Sequence, residues 1–321
     1  MKSTMTILAA ALFFTLSCLK SASADDSSVR VFILAGQSNM EGQGVVDLDH
    51  PDYYNGGKGT LNAVMADPKK APLFKHVKVS SGNWVVRDDV FVRFRTKQEV
   101  KTGGLSIGYA GYPGRHHIGP EFQFGHVVGA AIDEPVLLIK TAWGGKSLYQ
   151  DFRPPRSGGD VGPFYTQMIA EVREALGSVK TDFPQLADRR LKLSGFVWFQ
   201  GWNDMFNDKA RAEYEQNLVN LIHDVRDEFE SPQLPVVIGE LGNGGPATSP
   251  NMQAIREAQK SAASRKEFGS SVVFVPTSQF ARRAEESPNT GHGHHWFGNA
   301  ESYFLIGDAL GKAMIKLHAA E

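Results

Sequence analysis

The sequence is poor in cysteine, in charge bias and in long apolar runs, and each shortage excludes a class of protein. Its one cysteine is Cys18. That residue falls in a segment that reads as a leader. The remaining chain then has no disulfide, no thiolate zinc site and no cysteine nucleophile. Formal net charge is −1, from 34 basic and 35 acidic residues, which argues against a nucleic-acid partner or an anionic membrane surface. Beyond the first 24 residues no apolar stretch is long enough to cross a bilayer. Repeats and low-complexity tracts are lacking too.

What is present begins with that leader. Lys2 supplies a positive end, Met5–Leu16 an apolar core, and Ala22-Ser23-Ala24 a small-residue cleavage site. A lipoprotein anchored through Cys18 is the lesser alternative, because Thr15 stands where Leu is usual. The expectation is a signal peptide over residues 1–24 and a secreted or periplasmic protein. Its remaining length, roughly 300 residues, suits one α/β domain over 25–321.

The chain then turns on Val29–Gly42, VRVFILAGQSNMEG. The apolar run Val29–Ala35 predicts a buried strand that stops at Gly36-Gln37-Ser38. A strand ending in Gly-x-Ser can lift a hydroxyl into a cleft at the carboxyl edge of a sheet, so Ser38 is the candidate nucleophile. Met40 replaces the second Gly of a G-x-S-x-G elbow. Taken alone, Gly-x-Ser fits a strand-to-loop turn with a capping serine better than it fits a nucleophile.

After Ser38 the regular pattern breaks off for about eighty residues, more than a plain loop needs, and an insertion at about 43–118 is expected. Within it, Lys75–Arg95 reads as a hairpin about the turn Ser81-Gly82-Asn83. Alternation resumes with a helix from Pro120 to Ile132. Strands are expected at Pro135–Ala142, Leu193–Gln200, Leu234–Leu241 and Ser271–Ser278. Helices are expected at Phe164–Leu176, Asp208–Phe229, Asn251–Ala263 and Asn299–Leu317. Apolar strands alternating with helices predict a five-stranded parallel sheet in a three-layer α/β/α sandwich.

In such sheets functional groups gather beyond the carboxyl ends of the strands. There the sequence offers Gln37, Ser38 and Asn39, then Trp143-Gly144-Gly145-Lys146-Ser147, then Gln200-Gly201-Trp202-Asn203-Asp204. Glu240 follows the fourth strand, and His292-Gly293-His294-His295 precedes the last helix. A hydroxyl, backbone donors, an amide, carboxylates and imidazoles on one edge are the parts needed for acyl transfer.

The order Gly-Gln-Ser, a later Gly, Gly201-x-Asn203-Asp204 and a late His resembles the SGNH hydrolases. LAGQSNMEG and WFQGWND resemble more closely the sialate O-acetylesterase and acetylxylan esterase branch of carbohydrate esterases, over roughly Val29–Leu317. The resemblance implies a flavodoxin-like SGNH fold and cofactor-free, metal-free serine chemistry that removes acetyl groups from sugars. It assigns Ser38 as nucleophile. Its oxyanion donors are the Ser38 N–H, that of Gly144 or Gly145, and the Asn203 amide. Trp202 stands where this branch usually has Glu, and His292 where the family expects the Asp of Asp-x-x-His, which opens the choice of acid. Counting back from Gly298 favours His295 over His294 as base. Asp204 is the expected acid, with Glu240 and Gln200 as alternatives, and a Ser–His dyad is open. Gln37, Trp143, Trp202 and Trp296 are candidates for sugar binding.

Lys140, Gly145, Lys146 and Ser147 come close to a phosphate-binding loop, but Lys140 occupies the place of the first Gly. His116, His117, His292, His294 and His295 could be gathered on zinc, although no H-E-x-x-H spacing is present. The reading is therefore an exported carbohydrate O-acetylesterase. A catalytically inactive glycan-binding protein and a metal-dependent hydrolase are its rivals.

Overall fold

The computed structural model describes residues 28–319. The expected leader, with Cys18, lies outside them. Strand β1 spans Ser28–Gly36. Its odd-numbered residues Val29, Val31, Ile33 and Ala35 enter one core cluster, and Phe32 and Leu34 enter the other. A strand buried on both faces needs no polar side, which is why Val31–Ala35 is continuously apolar, while Arg30 near the strand's start is only half-buried. After it come the one-turn helix α1 (Ser38–Glu41), β2 (Gly44–Val45), α2 (Leu61–Ala66), β3 (Val90–Arg95), β4 (Val100–Gly104) and β5 (His117–Ile118). The second half alternates α3 (Glu121–Ala131), β6 (Val136–Ala142), α4 (Pro163–Gly177), α5 (Val179–Asp182) and β7 (Arg190–Phe199). It continues through α6 (Asp208–Glu228), β8 (Val236–Gly239), α7 (Pro250–Ala263), β9 (Val272–Val275) and α8 (Ala300–His318).

The sheet departs from the expected five parallel strands. It has seven, ordered β4-β3-β6-β1-β7-β8-β9, and is mixed, with β4 antiparallel to β3 at one edge. A separate two-stranded sheet joins β2 to β5. The two extra strands of the main sheet come from the segment expected as an insertion. VFVRFR at β3 falls in the segment expected as one arm of the hairpin about Ser81-Gly82-Asn83, and its two arginines do not by themselves suit a buried strand. Instead Arg93 is buried and donates to Asp182 Oδ2 at 2.8 Å and Glu174 Oε1 at 2.7 Å, so ion pairing to α4 and α5 lets an arginine lie in the sheet.

The hairpin itself also lies elsewhere. Lys78 and Trp84 share only an isolated bridge about Ser81–Asn83. The regular hairpin turns over 96–99, where Thr96 Oγ1 accepts from the Gln98 and Glu99 N–H groups. Gly44 pairs with Ile118 and Val45 with His117. The residues between β2 and β5 thus leave and return at one point, beside the end of β1.

Helices α3 and α8 pack with α2 on one face of the sheet, and α4, α6 and α7 lie on the other. The last helix is capped by Asn299 Oδ1, which accepts from Glu301 N and Ser302 N. Strand β1 is the central strand, flanked by β6 and β7. Gly36 sits where β1 and β7 converge: an added Cβ would lie 2.2 Å from Phe199 O, so only Gly fits.

Candidate active site

The loops after β1, β6 and β7 meet beside Ser38, and Gln37 joins the first to the third. Gln37 is buried; its Oε1 accepts from Gly201 N and Trp202 N, both at 3.0 Å. Its Nε2 donates to Asn203 Oδ1 at 3.1 Å. That bond consumes the Asn203 oxygen and leaves the Nδ2 hydrogens for another acceptor. Gln37 is therefore spent on the loop rather than open to a sugar. Ser38 opens α1 and is 8% exposed. Its carbonyl accepts from Gly42 N at 3.1 Å and from Gln43 Nε2 at 3.3 Å. Among the described residues its Oγ has no hydrogen-bond partner, and none is shared with His294 or His295.

The histidines stand on a turn of unusual backbone. Trp296 and Phe297 both have φ 53°, a left-handed conformation that costs a non-glycine residue about 1–3 kcal/mol each. Burial of the Trp296 ring among the core side chains around α8 offsets that cost. This Trp was expected to bind sugar, yet it is only 2% exposed. Two bonds tie the turn to the rest of the site. Asn39 Nδ2 donates to the His294 carbonyl at 3.0 Å. Tyr303 Oη donates to Asn39 Oδ1 at 2.6 Å and lies 3.3 Å from the His295 carbonyl. The two imidazoles are adjacent, centroids 4.1 Å apart, and His294 lies 5.7 Å from Trp202. Burial, followed by the neighbouring His294 and His292, holds His295 down to about 4. His294 is lowered as well, by burial and then His292. Both rings are neutral at pH 7, as a proton acceptor must be.

Neither expected carboxylate reaches these rings. Asp204 is fully buried, and its oxygens accept from Leu148 N and Tyr149 N at 2.9 Å and from Gln200 Nε2 at 2.6 Å. Burial pushes its pKa up to about 6 against these donors. Asp204 thus anchors the loop that carries Gly144 and Gly145. Glu240 Oε2 accepts from Thr277 N and Ser278 N at 2.7 and 2.8 Å, holding the end of β9. Gln200 bridges Asp204 and the Lys146 carbonyl. Among the described residues no hydrogen bond joins any of the three to a histidine.

Trp143 packs against Phe152 and Phe164, while Trp202 stands beside Phe206, which is 65% exposed. Lys140, part of the apparent phosphate loop, is wholly buried, with Nζ on Glu121 Oε2 at 2.7 Å and on the Glu41 and Tyr109 carbonyls. His116 pairs with Asp47 and His117 stacks on Tyr112, away from the other three histidines' ring contacts. Among the described residues no group of three His, Cys, Asp or Glu is arranged to hold a metal.

Sequence reasoning placed Asn39 at the strand end without giving it a role, and it missed Tyr303 and Glu41. Asn39 and Glu41 lay in the motif itself, one and three positions past Ser38. A one-turn helix puts the latter on the Ser38 side. Tyr303 had no local signal; only the packing of α8 brings its hydroxyl to Asn39.

Known proteins share this arrangement of elements. A structure from Arabidopsis thaliana superposes with a TM-score of 0.56 at 17% identity, covering 89% of this chain and 98% of that one. NanS gives 0.55 at 15%, covering 92% and 99%. A carbohydrate acetylesterase from Xanthomonas citri gives 0.51 at 14%, covering 91% and 57%. In sequence, a probable carbohydrate esterase of Arabidopsis thaliana is 23% identical over 233 residues, 72% of this chain and 74% of that protein. The class is thus a carbohydrate-acting esterase. The chain belongs to the family described as carbohydrate esterase, sialic acid-specific acetylesterase, whose model matches residues 28–316. No helix among the described residues is long and apolar enough to cross a membrane.

Proposed function

We propose that this carbohydrate esterase removes O-acetyl groups from sugars through an acyl-enzyme on Ser38, and that the leader read in residues 1–24 exports it. His295 takes the Ser38 proton as the hydroxyl attacks the acetyl carbonyl. The Ser38 N–H, the Gly145 N–H and the Asn203 amide stabilise the tetrahedral oxyanion. The imidazolium then protonates the departing sugar oxygen, and water admitted to the same base releases acetate. With Asp204 and Glu240 engaged elsewhere, Ser38 and His295 work as a dyad. Asp204 positions the donor loop.

The observation that carries this reading is the Gln37 side chain. It consumes Asn203 Oδ1 and two backbone donors at the end of β7, so the one amide face left to Asn203 is a donor beside the nucleophile turn. The test is p-nitrophenyl acetate and acetylated-xylan hydrolysis by wild type and Ser38→Ala. The variant is expected to lose about 10⁴-fold or more in kcat. Equal background rates for the two proteins favour a glycan-binding protein without turnover.

A further inference from the structure

Aromatic side chains stand on both sides of the end of β1. Trp202 and Phe206 lie on the β7 side. On the β6 side the segment between β4 and β5 brings up Tyr112, which is 41% exposed. That segment is fixed from several directions. Lys101 Nζ donates to the Gly108, Ala110 and Tyr112 carbonyls at 2.9, 3.0 and 2.7 Å. Lys140 Nζ, on β6, donates to the Tyr109 carbonyl at 2.6 Å. Gly111 N donates to the carbonyl of Glu41, in the same short helix as Ser38, at 3.1 Å.

The Tyr112 ring is held as firmly as its backbone. Its hydroxyl donates to Gln43 Oε1 at 2.6 Å, and Gln43 Nε2 donates to the Ser38 carbonyl at 3.3 Å. One glutamine thus separates Tyr112 from the backbone of the nucleophile. One face of the ring stacks on His117, with centroids 4.3 Å apart and 26° between the planes. Burial, followed by the neighbouring His116, holds His117 down to about 4, so the supporting ring is neutral at pH 7. Burial and then the Glu41 carboxylate raise the Tyr112 phenol, which stays protonated and keeps its bond to Gln43. With one face and the hydroxyl engaged, the exposure of Tyr112 lies on its other face.

We infer that Tyr112 is a sugar-binding residue, on whose open face the C–H side of the acetylated pyranose ring lies while its ester reaches Ser38. The inference rests on the ester-hydrolysis reading of Ser38 and adds where that site holds the sugar ring. A pyranose turns C–H groups to one side and hydroxyls to its rim. Its C–H side suits the negative face of an aromatic ring, and the contact removes apolar surface of both from water. His117 and Gln43 fix the tyrosine before substrate arrives, so little rotamer freedom is lost on binding. Such a contact reads the shape of the ring and makes no demand on its charge.

The test uses O-acetylated methyl pyranosides of xylose and of sialic acid, each set against its reduced, open-chain counterpart, with methyl acetate as an ester that carries no sugar. On whichever pyranoside turns over faster, wild type is expected to favour the ring over the open chain by about tenfold in kcat/KM, through KM, a readout that needs no variant to fold. Tyr112→Ala raises KM for that pyranoside by about tenfold and brings ring and open chain to within about threefold. Tyr112→Phe, which restores the ring without the Gln43 bond, recovers the preference for the pyranoside. A tyrosine that only braces Gln43 gives another pattern: Phe and Ala lose equally, and pyranoside and methyl acetate fall in proportion. That pattern, equal wild-type values on ring and open chain, or a Tyr112→Ala protein with the wild-type ratio overturns the inference. Calorimetric binding of the same pair to Ser38→Ala, with and without Tyr112→Ala, gives the ratio without turnover. Hydrolysis of p-nitrophenyl acetate by wild type reports separately on the esterase reading, so either idea can fail alone.

Discussion

The nucleophile turn and the histidine turn face each other, yet they are built in opposite ways. Around Ser38, buried polar groups are bonded one to another: Gln37 holds Gly201, Trp202 and Asn203, and Asp204 holds Leu148 and Tyr149. The turn grows directly out of the central strand of the sheet. Among the described residues, the histidine turn has no strand ending in it and no carboxylate hydrogen-bonded to its rings. It is kept in place by the buried Trp296, two left-handed residues and carbonyl bonds to Asn39 and Tyr303. One half of the site is preorganised by hydrogen bonds. The other is preorganised by packing, which fixes backbone more firmly than it fixes ring orientation.

Substitutions can break or sharpen that contrast. Replacing His295 with Ala is expected to lower kcat for p-nitrophenyl acetate by about 10²–10⁴-fold, and His294→Ala by less than about tenfold. Steady-state kinetics on the two variants decide between the adjacent rings, and the reverse order would make His294 the base. On the hydrogen-bonded side, Asn203→Ala should cost about 10²–10³-fold in kcat with little change in KM, as loss of one oxyanion donor does. A loss confined to KM would remove Asn203 from the transition state.

Asp204→Asn turns an acceptor that serves three donors into a partial donor, and the stranded N–H groups should destabilise the fold by about 1–3 kcal/mol in urea unfolding. A stability equal to wild type would show that the loop does not lean on this carboxylate.

The smallest effect is a displaced pH limb. His295 must be neutral to act as base, and its folded pKa lies near 4, below the ordinary 6.5. Activity should therefore persist below pH 6.5 and fall only as pH drops through about 4. The sign for stability follows from the same depression. Between about 6.5 and 4 the unfolded chain binds a proton that the native ring refuses, so this group lowers stability as pH falls through that window. A kcat/KM profile with its acid limb at about 6.5 would mean that the ring is solvated or paired in the working enzyme.

Much of the fold was legible because burial leaves a period in the sequence. The doubly buried β1 and the helices α6 and α8 were readable from their apolar positions. The misjudged part was β3, where the apolar pattern was interrupted by Arg93 and Arg95. Their partners Glu174 and Asp182 lie about eighty to ninety positions away, and no local window contains them. Site residues divided along the same line. Ser38 and Asn203 could be proposed because strand ends announce them, and the histidine pair because it stands just before the last helix. The spent states of Asp204, Glu240, Gln37 and Trp296 could not be foreseen, since a side chain's type says what it can bond and not what it meets.

The amino-acid order by itself determined where strands stop and which reactive groups stand at those stops, since periodicity and turn chemistry act over a few residues. Tertiary structure alone decided the seventh-strand edge, the engagement of the carboxylates and the pinning of the histidine turn by Tyr303 and Asn39. Each of those depends on contacts between residues far apart in the chain, and such contacts exist only once the core has closed.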